Sequence, residues 1–60
     1  MWALTTSHGM RVDGIRSEHD GRLAIHMLGI PRTIGPYSWQ VVDNQGRHFV
    51  AELRSTRPNG

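Results

Sequence analysis

The stretch Ser38–Leu53, SWQVVDNQGRHFVAEL, decides the fold that we predict for this chain. Two apolar runs flank Asn44-Gln45-Gly46. A three-residue loop with glycine at its left-handed position is a common way to close a β-hairpin. If Asp43 lies opposite Arg47, the pairing continues outward as Val42 with His48, Val41 with Phe49, and Trp39 with Ala51. The stretch therefore predicts an antiparallel hairpin.

The two faces of this hairpin differ in character, because side chains alternate between the faces of a strand. The apolar face is predicted to be core and carries Trp39, Val41, Phe49, Ala51 and Leu53. The opposite face is mixed and carries Gln40, Val42, His48, Val50 and Glu52. A partner could cover about half of that mixed face.

A second hairpin is predicted over residues 10–28, with strands Met10–Glu18 and Arg22–Leu28 around His19-Asp20-Gly21. This register gathers the aliphatic side chains on one face, whereas a two-residue Asp20-Gly21 turn would divide them. The aliphatic face would hold Ile15, Leu23, Ile25 and Met27. Both predicted loops read acid-x-x-Gly-Arg, which places the acid opposite the arginine across the turn.

The remaining segments are predicted to connect or flank the hairpins. Residues 29–38 contain two prolines and two glycines, a composition that excludes a central strand, so one helical turn over Pro31–Ile34 is expected. Residues 1–9 would form an N-terminal arm or an added edge strand, residues 10–54 a small β domain, and residues 55–60 a disordered tail. The predicted fold class is all-β, with four or possibly five strands.

Size and charge limit what such a chain can be. A chain of 60 residues buries only about 60% of its unfolded surface, and without cysteine no disulfide can add stability. Oligomerisation is the usual remedy, so we expect a homodimer. All seven basic residues are arginine, and the net charge is +2. No apolar run reaches the roughly 20 residues of a membrane span, and a cytoplasmic location is expected.

Catalysis and metal binding are not indicated by the sequence. The four histidines, His8, His19, His26 and His48, are not spaced like zinc ligands, and no cysteine completes a set. No nucleophile motif or glycine-rich phosphate loop is present. We therefore predict a non-enzyme without cofactor or metal.

The arginines are the most informative functional signal, because the planar guanidinium suits phosphates and guanine edges. They lie at predicted strand ends, turns and the central connection rather than in one run, and a dimer would double a modest patch. The alternative is that they are scattered, solvated surface charges.

Short motifs resemble the AbrB/MazE/SpoVT swapped-hairpin family over roughly Val12–Arg54. The matching segments are Gly14-Ile15-Arg16, Asp20-Gly21-Arg22-Leu23-Ala24-Ile25 and Arg32-Thr33-Ile34-Gly35. The resemblance implies an intertwined homodimer of hairpins that binds DNA through arginines, with Arg16, Arg22 and Arg32 as the matched contacts. His26 stands where the family usually has proline, and the helix region is shorter.

Two alternative hypotheses use the same predicted strands. One is a small SH3-like barrel with the N-terminal arm as its fifth strand. The other is a protein-interaction module, an adaptor or inhibitor, that offers a sheet edge or the Val42/Val50 face to a partner. DNA binding is the leading hypothesis, with Arg16, Arg22, Arg32 and Arg47 as the predicted nucleic-acid contacts.

Overall fold

One antiparallel sheet and one helix make up the computed structural model, which describes residues 1–56. The elements in chain order are β1 (Trp2–Thr6), β2 (Arg11–Ile15), α1 (Glu18–Leu28), β3 (Ile30–Gly35), β4 (Ser38–Val42) and β5 (His48–Ser55). The strand order across the sheet is β2-β1-β5-β4-β3, and neighbouring strands are antiparallel. The prediction of a mostly β domain is confirmed.

The predicted hairpin of β4 and β5 is confirmed together with its register. Val42 pairs with His48, Val41 with Phe49, and Trp39 with Ala51. In the loop, the Asp43 N–H donates to the Arg47 carbonyl at 2.9 Å, and Gly46 has a φ of +78°, the left-handed region that glycine adopts without cost.

The core lies between α1 and one face of the sheet. Its buried cluster holds Leu4, Ile15, Ile25, Trp39, Val41, Ala51 and Leu53, with Trp2, Ala24, Leu28 and Phe49 packed against it. All five side chains of the predicted apolar hairpin face are among these residues. The opposite face of β4 and β5 has half-buried Gln40, Val42 and Val50 and exposed His48 and Glu52, so it is mixed, as expected.

The predicted hairpin over residues 10–28 is wrong, because its second half is the helix α1. Ser17 caps the helix: its Oγ accepts a hydrogen bond from the Asp20 N–H at 3.1 Å. Glu18 and Asp20 place carboxylates in the first turn, where the helix dipole favours negative charge. Asp20-Gly21 therefore begins a helix here instead of turning a hairpin.

Gly21 lies inside the helix because α1 approaches β5 closely. A Cβ atom built at Gly21 would lie 2.6 Å from Cδ1 of Leu53. At the end of α1, a Cβ atom at Gly29 would overlap the carbonyl oxygen of Val42. Both glycines thus allow close packing of α1 against the sheet.

The helical turn predicted over Pro31–Ile34 is also wrong, since these residues belong to the edge strand β3. The residues that flank β4 bond on its β5 side: the Tyr37 carbonyl accepts from the Leu53 N–H, and the Asp43 N–H donates to the Arg47 carbonyl. Because backbone groups alternate in direction along a strand, Gln40 and Val42 present theirs to β3. Gln40 and Val42 pair with Arg32 and Ile30. Pro31 therefore occupies a position facing the free edge, where its missing N–H leaves no ladder bond unmade.

The N-terminal segment forms a strand, but β1 lies inside the sheet between β2 and β5 and is not an edge. At the other terminus, Ser55 belongs to β5 and the Thr56 N–H donates to the Met1 carbonyl at 2.7 Å, so the tail does not begin at residue 55. The rest of the predicted tail, residues 57–60, lies outside the described residues.

Candidate nucleic-acid interface

A groove of about 230 Å³ runs between α1 and the free edge of the sheet. We call it the α1–β3 groove, and it is lined by Arg22, Ile25, His26, Pro31, Thr33 and Trp39. Because β3 is the last strand of the sheet, no further strand separates the groove from solvent on that side. Its wall on β3 is formed by Pro31 and Thr33.

Arg22 is the charged residue of the α1–β3 groove, and two side chains lie beside its guanidinium. Its Nη2 lies 3.1 Å from Oε1 of Glu18, one helical turn earlier. Its guanidinium carbon lies 6.0 Å from the ring centroid of Trp39, at the limit of a cation–π contact. The Arg22 side chain is still 53% exposed, so it can also contact a ligand.

Two further polar side chains line the same groove. His26 follows Arg22 by four residues on α1, and residues with this spacing lie on one face of a helix. Thr33 pairs with Trp39 and contributes a hydroxyl group from β3. A guanidinium, an imidazole and a hydroxyl group therefore line one groove, and such groups hydrogen-bond an anionic oxygen.

Arg32 lies on the opposite side of the same edge strand. It pairs with Gln40, whereas Thr33, the next residue, pairs with Trp39 on the helix side. Alternation along β3 therefore directs the Arg32 side chain away from α1. Arg32 is exposed and forms no ion pair with the residues that the structure describes. Arg22 and Arg32 thus flank the β3 edge from its two faces.

The other two predicted contacts lie elsewhere. Arg16 immediately follows β2, the far edge of the sheet, and β2 is about 19 Å from β3 at ~4.8 Å per strand. Arg47 ends the β4–β5 loop, where its N–H donates to Oδ1 of Asp43 at 2.9 Å. Both residues are exposed, and the structure does not bring them to the α1–β3 groove.

The remaining described arginines are matched by acids on the sheet. Arg11 Nε lies 3.0 Å from Oδ1 of Asp13, and Arg54 Nη2 lies 3.8 Å from Oε2 of Glu52. These pairs are exposed, and each reduces the net charge of its surroundings. Arg32, like Arg16, forms no ion pair with the described residues, so it adds unpaired positive charge to the β3 edge.

No family model, curated protein or solved structure matches this chain. The resemblance to the swapped-hairpin family stays a prediction, and its matched segment Asp20–Ile25 lies within α1. No helix of the described residues is long and apolar enough to cross a membrane. Within residues 1–56, no cluster of three or more His, Asp or Glu side chains could hold a metal ion.

Sequence reasoning named Arg22 and Arg32 but missed His26 and Thr33 as parts of a site. Two signals were available in the sequence: the helix-start pattern Ser17-x-x-Asp20, and the opposite charges of Glu18 and Arg22 at a spacing of four. A helix beginning at Glu18 places Arg22 and His26 on one face.

Proposed function

We propose that this protein is a small nucleic-acid-binding protein that holds the phosphate backbone of duplex DNA along the β3 edge. The main support for the proposal is the position of Arg22, which lies beside Trp39 and is half exposed in the α1–β3 groove. The planar guanidinium is a rigid fork of donors, so it loses little entropy for each hydrogen bond that it forms. His26 and Thr33 supply further hydrogen-bonding groups to the same phosphate.

Arg32 extends this contact across the edge strand. Arg22 and Arg32 flank one strand on its two faces, so successive phosphates of a strand that follows the β3 edge would meet one arginine each. Contacts to phosphates position a protein on DNA without reading sequence. We therefore propose an interaction dominated by contacts to the phosphate backbone of DNA. Two copies of the chain would double the number of these contacts, and the protein would act in the cytoplasm.

The competing function, a protein-interaction module that adds a partner's strand to the sheet edge, receives less support. Strand addition relies on backbone donors and acceptors along the edge. Pro31 removes one donor from the outward-facing positions of β3, which is a common device against edge pairing. On β2, the pairing register with β1 shifts near Gly14, whose φ is +74°. Such a bulge also interrupts strand addition.

The test is a titration of duplex DNA over a salt series with Arg22→Gln and Arg32→Gln. We expect each variant to bind several-fold more weakly and to reduce the slope of log K against log salt by about one. Arg11→Gln is the matched control, because it removes the same charge from the opposite edge of the sheet. Its slope should stay close to that of the wild type.

Two outcomes would contradict the proposal. One is the absence of DNA binding at low salt by the folded wild-type protein. The other is an equal loss for all three variants, which would indicate diffuse attraction by net charge. A tight, salt-tolerant complex with one protein, unchanged by Arg22→Gln and Arg32→Gln, would favour the interaction module.

A further inference from the structure

Glu18 accepts a hydrogen bond from one of the guanidinium donors of Arg22. Its Oε1 lies 3.1 Å from Arg22 Nη2, and the two residues are four apart on α1. The Glu18 side chain is 39% exposed, so the carboxylate can leave the pair without disturbing the core. Pairs of this kind at a helix surface are weak.

We infer that Glu18 is an intramolecular competitor, which holds a donor of Arg22 that a phosphate in the α1–β3 groove would otherwise use. This inference rests on the proposed function and adds a residue that lowers affinity. The carboxylate imitates the ligand, since it presents an anionic oxygen to the same donor. It also repels a phosphate that approaches Arg22, so the groove favours ligands with enough additional contacts to displace it.

The chain provides a matched control for this idea. Asp20 lies in the same first turn of α1 and carries the same charge. Its backbone N–H donates to Ser17, while its carboxylate forms no ion pair with the residues that the structure describes. Glu18→Gln and Asp20→Asn therefore remove equal charge from one helical turn, but only Glu18→Gln weakens the hold on Arg22. The substituted amide can still accept a hydrogen bond from Arg22, without the attraction of a full negative charge.

The experiment measures duplex DNA affinity of the intact chain at about 0.15 M salt, where separated surface charges are largely screened. Relative to Asp20→Asn, we expect Glu18→Gln to bind about two- to fivefold more tightly, which corresponds to the strength of an exposed ion pair. In an Arg22→Gln background, Glu18→Gln and Asp20→Asn should have equal affinities. Circular dichroism checks that each variant is folded.

The outcomes separate this inference from the proposed function. Equal affinities of Glu18→Gln and Asp20→Asn, or weaker binding by Glu18→Gln, would overturn the competitor role while wild-type binding that depends on Arg22 still stands. Failure of the wild type and of every variant to bind DNA would overturn the proposed function as well. Tighter binding by Glu18→Gln that persists without Arg22 would assign the effect to general charge and overturn the inference.

Discussion

Gly29 and Gly21 both lie close to the sheet, but a Cβ atom at each position would contact a different kind of atom. A Cβ atom at Gly29 would overlap a backbone atom, the Val42 carbonyl oxygen, whereas one at Gly21 would meet the methyl end of Leu53. The backbone of a paired strand cannot shift without breaking its ladder. We therefore expect Gly29→Ala to lower the free energy of unfolding by about 2–3 kcal/mol.

Gly21→Ala should cost less, about 1 kcal/mol or below, because Leu53 can change rotamer and alanine is the better helix former by ~1 kcal/mol. Urea unfolding of both variants under the same conditions measures the difference. A larger loss for Gly21→Ala would mean that the packing between α1 and β5 is tighter than the packing at Gly29.

Asp43 stabilises the β4–β5 loop through its ionised carboxylate. Its Oδ1 accepts hydrogen bonds from the N–H groups of Arg47 and Gln45, both at 2.9 Å. The hydrogen bond from the Arg47 N–H is the main reason that the pKa of Asp43 lies below its ordinary value of 3.8. A lowered pKa contributes stability above the unfolded value, and that contribution is lost as the pH falls through the folded value.

The expected result for Asp43→Asn is a lower urea midpoint at pH 7 and a flatter dependence of stability on pH below about 4. The difference between Asp43→Asn and the wild type should shrink as the pH falls through the folded pKa of Asp43, because protonation removes the wild-type charge. A difference that stays constant over this range would show that the charge of Asp43 does not matter.

The stability of the helix α1 depends on the hydrogen bonds of its first turn. Ser17 is the N-cap, with extended backbone and its Oγ on the Asp20 N–H. Replacing a serine cap with alanine costs typically about 1 kcal/mol. We expect Ser17→Ala to lose that amount in urea unfolding and Ser17→Asp, which retains a side-chain acceptor, to keep most of the wild-type stability. Equal losses for both variants would show that the Oγ contact is not what stabilises the helix.

The β4–β5 hairpin was predictable because everything that specifies it is local: the loop, the glycine and the alternation lie within one stretch of chain. The helix was not, because Asp20-Gly21 is a strong turn signal and the reason for Gly21 is a distant residue, Leu53. Likewise, Pro31 and the neighbouring glycines correctly excluded a central strand. The segment instead forms the edge strand β3, a position that tolerates proline.

The candidate site was predictable only in part for the same reason. The opposed pair of Glu18 and Arg22 was expected across a hairpin loop and forms across a helical turn, since both geometries bring the two side chains together. The junction of α1 with β3 depends on the sheet order, which no short stretch of sequence encodes.

At the scale of the whole molecule, the domain is small and positive charge is sparse. The buried core cluster contains seven residues, and the net charge is +2. A chain of this size gains from a partner subunit. In the proposed DNA contact, two arginines per chain would bind phosphate weakly, and doubling their number would strengthen the binding. We therefore propose a homodimer, which would meet both needs.

Mass and salt dependence together test this assembly. The slope of log K against log salt is about −0.9 per phosphate contact, so Arg22 and Arg32 of one chain give about −2 and those of two chains about −4. We expect sedimentation equilibrium to give twice the chain mass of 6.8 kDa and the DNA titration to give the steeper slope. A slope near −4 from a monomer would require further arginines, with Arg16 and Arg47 the first to substitute. A slope near −2 from a dimer would mean that only one copy faces the DNA.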